Sequence, residues 1–268
     1  MPALGSIGRT CAANSPIHRL DPRVKLVMAL IYMVSCLFVN SPATLALAGA
    51  AVCIAARLSR IPMASLCAQL KTLALFLALT SIINLFFVRT GTLVVAVGPV
   101  ALYTGGVAAA ALYTLRFLFL LAAGSLLVLT TTALTLADAI GRLLAPLERL
   151  GVPVDQAMLI LSIALRFAPT LAREASNIRA AQTARGAGLE QVRGLARLRA
   201  CVPLAVPLFA SALRHADNLA RAMDARCYTG GERTHYHVMQ LSLRRDVPAL
   251  LALAIYLAAL VLLRLAGL

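Results

Sequence analysis

Two arginines, Arg185 and Arg226, occupy matching positions in two similar segments of the chain. A shift of 41 residues superimposes them, and it also aligns Ala175 with Ala216, Asn177 with Asn218, Ile178 with Leu219, Ala181 with Ala222 and Ala184 with Ala225. A guanidinium forms forked, bidentate hydrogen bonds with a carboxylate, and neighbouring alanines allow a close approach. We therefore expect two equivalent plugs that enter two similar sockets, such as those on a pair of similar subunits.

Each of these arginines ends a predicted helix that carries an apolar stripe. Apolar residues recur at helical spacing before both of them: Leu171, Ala175 and Ile178 in the first segment, and Ala212, Ala216, Leu219 and Met223 in the second. A simpler role for each cation is to complement the helix macrodipole, worth about 0.3 to 1 kcal/mol, before a left-handed cap such as Gly186. That role explains one helix end, and it explains the repeated arrangement less well.

The composition places both helices in a membrane protein. Of the 268 residues 61% are hydrophobic, and the mean hydropathy is +0.87. The net charge of +15 would suggest nucleic-acid binding in a soluble protein, but apolar runs of lipid-spanning length argue against a nucleic-acid partner. The six cysteines show no C-x-x-C spacing, so we interpret them as small buried hydrophobes and predict neither a disulfide framework nor a zinc site.

Five apolar runs predict the membrane helices and divide the chain into three parts. The runs cover residues 24–39, 43–56, 73–88, 107–129 and 247–263, and a segment at 89–106 could form a small hairpin or a re-entrant piece. Residues 138–245 hold 15 of the 25 cations and five prolines, and their apolar pieces are short. We predict an all-α integral membrane protein with about five transmembrane helices in 1–137 and 246–268, and a cytoplasmic domain of amphipathic helices in 138–245.

Loop charges predict the orientation of these spans. With the N-terminus inside, the internal loops and the 138–245 region hold nearly all of the arginines and lysines, and the external loops hold only Arg89. The protein is therefore expected to be multi-pass, with the N-terminus and the 138–245 region in the cytoplasm. Five spans would leave the C-terminus outside, with Arg264 at that interface.

Several kinds of chemistry are missing from the sequence. No acid lies between Asp21 and Asp138 or after Asp246, which disfavours an ion-coupled carrier that binds its driving ion on a buried carboxylate. No G-x-x-x-x-G-K-[ST] phosphate loop occurs, and His235 with His237 lacks the neighbours of a metal site. We predict no catalytic residue, no metal site and no cofactor in this chain. Arg116, inside the fourth run, either meets a charged substrate or bonds backbone carbonyls of a neighbouring helix, and we favour the second role.

The motifs resemble those of one known family, the transmembrane T component (EcfT-like) of energy-coupling factor (ECF) transporters. Ala184-Arg185-Gly186 and Ala225-Arg226-Cys227 are similar to its paired Ala-Arg-Gly motifs. The resemblance continues over nearly the whole chain, in SPIHRLDPRVKL at 15–26, ALRFAP at 164–169 and LARAMDARCY at 219–228. Cys227 departs from the family's usual glycine, so we expect the second helix to end differently, using Gly230 and Gly231.

The resemblance implies a non-catalytic coupling subunit in the inner membrane of a prokaryotic cell. Its two motif helices would dock on two ABC-type ATPases, as a homo- or heterodimer, which bind ATP and Mg. Movement of the ATPases would be relayed to a membrane-embedded, substrate-binding S component for uptake of a vitamin or of a metal ion such as cobalt or nickel. The ATPase-docking residues are then Ala184, Arg185, Gly186, Ala225, Arg226 and Cys227.

Two alternatives come from other classes of protein. A stand-alone secondary carrier would transport its substrate when reconstituted by itself, whereas a coupling subunit would not. A membrane scaffold with a basic face would bind anionic lipid at about 1 kcal/mol per cation, and would lose that binding as salt rises, whichever arginine is changed.

Overall fold

The computed structural model describes residues 15–72, 74–88, 90–97, 100–186, 195–230 and 243–266. Nearly all of the regular structure in these residues is helical, which confirms the predicted all-α membrane fold. The elements are α1 (Pro22–Leu37), α2 (Pro42–Ser59), α3 (Met63–Thr72), α4 (Ala74–Phe87), β1 (Leu93–Val97), β2 (Val100–Tyr103), α5 (Thr104–Thr130), α6 (Ala133–Leu144), a 3-10 helix (Ala145–Leu150), α7 (Val154–Ala184), α8 (Leu195–Asp224) and α9 (Leu243–Leu265).

Four of the described helices are long and apolar enough to cross a membrane, judged by length and composition. Three of them, Pro42–Ser59, Thr104–Thr130 and Arg244–Leu265, coincide with predicted spans. The other two predicted spans are α1 and α4, with 16 and 14 residues. At 1.5 Å per residue they are roughly 24 and 21 Å long, which is shorter than a hydrocarbon core of about 30 Å.

The fourth apolar helix, α7, lies in the region predicted to be amphipathic. It meets the length and composition criteria, yet only 6% of its most apolar 18-residue window is buried. Its middle contains the charged residues Arg166, Arg173 and Glu174 together with Pro169. Charged side chains are costly at mid-membrane depth. The charges in the middle of α7 therefore fit an amphipathic helix better than a membrane span.

Two compact units divide the described chain. One contains the described residues of 15–140 and 243–266, which we call the membrane unit, and the other contains those of 141–230, which we call the coupling unit. The domain boundaries predicted at 138 and 245 remain predictions. Helix α6 begins in the first unit and ends in the second.

Helix α5 is the central element of the membrane unit and packs against α1, α2, α3 and α4, while α9 packs against α1 and α2. Small residues permit the close approaches. The phenyl ring of Phe119 lies against Gly49, and the backbone carbonyls of Leu85 and Val88 lie against Gly106. In a bilayer, where lipid is as apolar as leucine, such close van der Waals contact is a main source of helix association.

A polar network ties three of these helices together inside the core. The Tyr32 hydroxyl donates to the Ala48 carbonyl of α2 at 2.9 Å, and the Ser35 and Tyr256 hydroxyls lie 2.9 Å apart. The rings of Tyr32 and Tyr256 also contact, with centroids 5.5 Å apart. Interhelical hydrogen bonds of this kind stabilise one particular arrangement of α1, α2 and α9.

Local sequence signals define several helix ends in the membrane unit. Asp21 precedes Pro22 and accepts from the Arg23 amide at 2.9 Å, and Ser41 precedes Pro42 and forms a capping box with Thr44. Proline suits the first helical position because its missing N–H would be unpaired there. The 89–106 segment contains an antiparallel hairpin, β1–β2, as one of its two predicted forms.

The coupling unit is dominated by two long helices. Helix α7 runs for 31 residues through Pro169, and α8 runs for 30 residues through Pro203 and Pro207. The short apolar pieces predicted from the sequence are therefore parts of continuous helices. A proline inside a helix removes one backbone hydrogen bond, and here the flanking turns continue without it.

Candidate docking helices

The first arginine closes α7 directly. Arg185 is the C-cap residue, and its backbone N–H donates to the carbonyls of Ala181 and Gln182, both at 3.2 Å. Gly186 follows with φ of +84°, and its N–H donates to Thr183 at 3.0 Å. Glycine tolerates this left-handed conformation without a Cβ penalty, so the chain turns away immediately after the arginine.

The second arginine sits in the same backbone setting. Cys227 follows Arg226 with φ of +54°, and its N–H donates to Asp224 at 2.9 Å, as Gly186 does to Thr183. The Tyr228 N–H then donates to Met223 at 3.1 Å, which completes a Schellman motif. Cys227 therefore takes the left-handed position itself, although α8 does end one residue earlier relative to its arginine than α7.

Cys227 itself adopts the left-handed conformation that was expected of the glycines. Gly230 also has positive φ, 76°, but it lies three residues beyond the helix end, and Gly231 lies outside the described residues. A non-glycine residue in this conformation is strained, and the surrounding cap hydrogen bonds offset the strain. Both arginines are thus followed by a left-handed residue, although α7 ends one residue before its arginine and α8 ends two residues before.

All six predicted docking residues are exposed. Ala184, Arg185 and Gly186 on α7 and Ala225, Arg226 and Cys227 on α8 lie at the surface of the described chain. On the preceding turns the stripe residues are half-buried, except for Ala216, which is exposed. Arg173, off the stripe, is exposed as its position on the helix predicts. The geometry leaves both guanidinium groups accessible, and their docking role stays a prediction.

The two helices contact each other at their middles through a small polar cluster. Ser211 donates to Glu174 in a short hydrogen bond, and the His215 imidazole lies 3.4 Å from the other carboxylate oxygen. The Phe167 ring packs on the His215 ring, with centroids 5.8 Å apart. Sequence reasoning missed this cluster, although the 41-residue shift that aligns the arginines also aligns Glu174 with His215.

Arg116 has the structural role that was favoured from the sequence. Its guanidinium donates to the Val39 carbonyl, just beyond the end of α1, and to the Asn40 side chain at 2.7 Å. The same group lies 5.1 Å from the centre of the Tyr113 ring. Arg116 therefore connects α5 to the turn between α1 and α2.

Another set of charged residues was missed because one helix begins earlier than predicted. Helix α9 starts at Leu243, so Asp246 lies in its first turn and not before the span. Asp246 is 3% exposed, and Asp21 and Lys25 are each 7% exposed. The spans were expected to lack carboxylates, and this one lies buried at the end of a span.

The described residues contain no group of three or more His, Cys, Asp or Glu side chains that could hold a metal ion. His235 and His237 lie outside the described residues. The structure therefore places the chemically distinctive residues of the coupling unit at two helix ends and one helix contact.

Comparison with known proteins points to one family. The family model of the cobalt transport protein, CbiQ, matches residues 13–236. The energy-coupling factor transporter transmembrane protein EcfT of Heliobacterium modesticaldum is 39% identical over 238 residues, which cover 88% of this chain and 89% of that protein. EcfT of Bacillus subtilis is 36% identical over 259 residues, covering 96% and 97%.

A further relative differs in length. A putative ABC transporter ATP-binding protein of Bifidobacterium longum is 42% identical over 264 residues. The match covers 97% of this chain but 33% of that protein, so this chain spans about a third of that relative. Most of the Bifidobacterium protein lies outside the matched segment.

Proposed function

Because the chain belongs to the family of energy-coupling factor transporter transmembrane proteins, matched as the cobalt transport protein family, we propose that it couples ATP hydrolysis to substrate uptake. In this proposal two ABC-type ATPase subunits dock on α7 and α8, and a membrane-embedded S component carries the substrate. The chain itself performs no catalysis. It is a multi-pass membrane protein, and we place its coupling unit in the cytoplasm of a prokaryotic cell, at the inner membrane.

One observation carries the proposal: two equivalent, exposed arginines end two helices that meet at equivalent residues. Glu174 and His215 are in contact, and each lies eleven residues before the arginine of its own helix. At 1.5 Å per residue, each guanidinium is roughly 16 Å along its helix from the contact. A partner with two similar sockets, such as a dimer of ATPases, matches this arrangement.

The energy for transport must come from outside this chain. The sequence has no loop of the kind that cradles ATP phosphates, so we expect ATP and Mg to bind only the partner subunits. The Bifidobacterium relative supports this assignment. Its name describes an ATP-binding protein, and a segment like this chain forms only a third of it, so the same polypeptide has room for further domains.

The substrate class follows from the family alone. We propose a vitamin or a metal ion, cobalt or nickel among them, since the matched family is described as a cobalt transport protein. The substrate would be held by the S component, because the described part of this chain has no cluster of metal-ligating side chains.

The proposal is tested by purifying the tagged chain in mild detergent from its own host. We expect two ATPase subunits and a small membrane protein to co-purify, and we expect ATP hydrolysis by the complex. The isolated chain, expressed alone, should show no saturable nucleotide binding. Binding of ATP by the isolated chain, or a preparation without any ATPase, would contradict the proposal.

The same preparation separates the two alternatives. Substrate uptake by liposomes that contain only this chain would indicate a secondary carrier. Association with anionic vesicles that falls with salt, and that is equally sensitive to any arginine change, would indicate a scaffold.

A further inference from the structure

A buried polar cluster lies at one end of the membrane unit, at the N-terminus of α1. The Lys25 ammonium donates to the His18 carbonyl at 3.2 Å and to the Thr130 carbonyl at 3.4 Å. The Asp21 backbone N–H donates to a carboxylate oxygen of Asp246 at 3.1 Å. Asp21, Lys25, Thr130 and Asp246 are all at most 7% exposed, and we call these four residues the joint.

All four residues of the joint lie in the membrane unit. Thr130 is the last residue of α5, and the chain continues from it through Thr131 and Thr132 into α6 and the coupling unit. The chain returns from the coupling unit into α9, where Asp246 occupies the first turn. The short segment from His18 to Lys25 therefore binds the last residue of α5 and a residue in the first turn of α9.

The helix is broken at the point of departure. Thr131 is extended, with φ of −135° and ψ of 129°, and Thr132 caps α6 by accepting from the Thr135 amide at 3.3 Å. A break between two capped helices can absorb a change of backbone angle that a continuous helix would resist. Lys25 bonds the carbonyl directly before this break.

Burial of charge makes a purely stabilising role a poor explanation of the joint. Moving a lysine and two carboxylates out of water is expensive, and well-packed apolar residues often stabilise a core as well or better. Buried polar contacts instead specify one arrangement of the elements that they connect, and they can exchange between two discrete arrangements.

We propose that the joint transmits movement of the coupling unit to the membrane unit, with Lys25 and Asp246 as its positioning residues. This inference rests on the proposed function, in which the ATPases move the coupling unit. Movement that arrives along α6 changes the position of Thr130, and movement that arrives before α9 changes the position of Asp246. Because the N-terminus of α1 binds both, α1, α5 and α9 respond together.

The experiment uses the whole complex with its ATPases and S component in nanodiscs, so that no transported substrate needs to be known. Hydrogen exchange is measured by mass spectrometry without nucleotide and during ATP hydrolysis. In the wild type we expect nucleotide-dependent changes at the ends of α7 and α8 and at the N-termini of α1 and α9.

The variant is Lys25→Met, which keeps an unbranched side chain and removes the charge. We expect the changes in α7 and α8 and the ATPase rate to persist, and the changes in α1 and α9 to fall about tenfold. The matched control is Lys71→Met at the chain's other lysine, which is exposed near the end of α3. Should Lys25→Met fail to insert, Asp246→Leu replaces it, because leucine has a similar size and removes the oxygen that accepts from the Asp21 N–H.

Each result decides the matter. If the Lys25 or Asp246 variant keeps hydrogen-exchange changes of wild-type size in α1 and α9, the proposed role of the joint is wrong. An equal loss of these changes in Lys71→Met would also contradict it. A wild-type complex with no nucleotide response in α7 and α8 would refute the proposed function, and the joint with it.

Discussion

Glu174 of α7 and His215 of α8 lie 3.4 Å apart, and the same 41-residue shift that relates Arg185 to Arg226 relates these two residues. Contact between equivalent residues is what a pair of helices related by an approximate two-fold axis would show, because residues near such an axis meet their own counterparts. The contact thus gives the sequence repeat a spatial meaning. The two helix ends extend by equal lengths from a shared contact.

The first prediction concerns the arginines themselves. If each guanidinium pairs with a carboxylate in a socket, the double change Arg185→Ala with Arg226→Ala leaves two buried carboxylates unpaired. Each loss costs about 3 to 5 kcal/mol, against at most about 1 kcal/mol for a macrodipole role. We expect the double variant to insert normally and to lose its ATPase subunits on purification. Each single variant should retain part of the ATPase that co-purifies with the wild type.

Arg173 provides the matched control on the same helix. Its side chain is exposed and lies off the apolar stripe, so Arg173→Ala should keep ATPase retention near the wild-type level. Equal damage from Arg173→Ala, or full retention in the double variant, would show that the two arginines do not act as plugs.

The second prediction concerns the strained cap at Cys227. Replacement by glycine removes the Cβ from a left-handed residue, so Cys227→Gly should stabilise the end of α8 by about 1 kcal/mol. The reverse change, Gly186→Cys, meets no atom within 4 Å but acquires the same strain, because φ is +84° there. It should therefore destabilise the end of α7 by a similar amount.

Thermal unfolding of the two purified variants provides the measurement. We expect shifts of opposite sign, and a rise for Gly186→Cys would contradict the equivalence of the two caps.

The third prediction concerns the contact between α4 and α5. A Cβ at Gly106 would lie 2.7 Å from the Leu85 carbonyl oxygen and 2.9 Å from that of Val88. Backbone atoms cannot move aside as a side chain can, so Gly106→Ala should lower stability by about 1 to 3 kcal/mol. The melting temperature in detergent should fall, whereas Val107→Ala, at a residue 49% exposed, should change it little.

The fourth prediction concerns orientation. With the coupling unit in the cytoplasm, a membrane-impermeant thiol reagent added to intact cells should not label Cys227, which is exposed, until the cells are permeabilised. Thr92→Cys, in the exposed segment just before β1, should be labelled in intact cells because that loop is expected outside. The reverse pattern would invert the proposed topology.

Local sequence signals determined much of this protein. The apolar runs located three of the four described helices that are long and apolar enough to cross a membrane, and the repeated Ala-Arg segments located the ends of α7 and α8. The Asp-Pro and Ser-Pro pairs at 21–22 and 41–42 stand at the starts of α1 and α2. These features are readable because each depends on residues within a few turns of one another, where propensity, capping and periodicity act.

Tertiary structure decided what distant residues do. The carbonyl that Lys25 bonds is 105 residues away, the carboxylate that Asp21 bonds is 225 residues away, and Arg116 finds its partner after 77 residues. Cys227 adopts a glycine conformation because the cap hydrogen bonds around it hold the chain there. The hydrophobic periodicity of the sequence does not predict such contacts, since they form only when packed helices bring the groups together and exclude water from them.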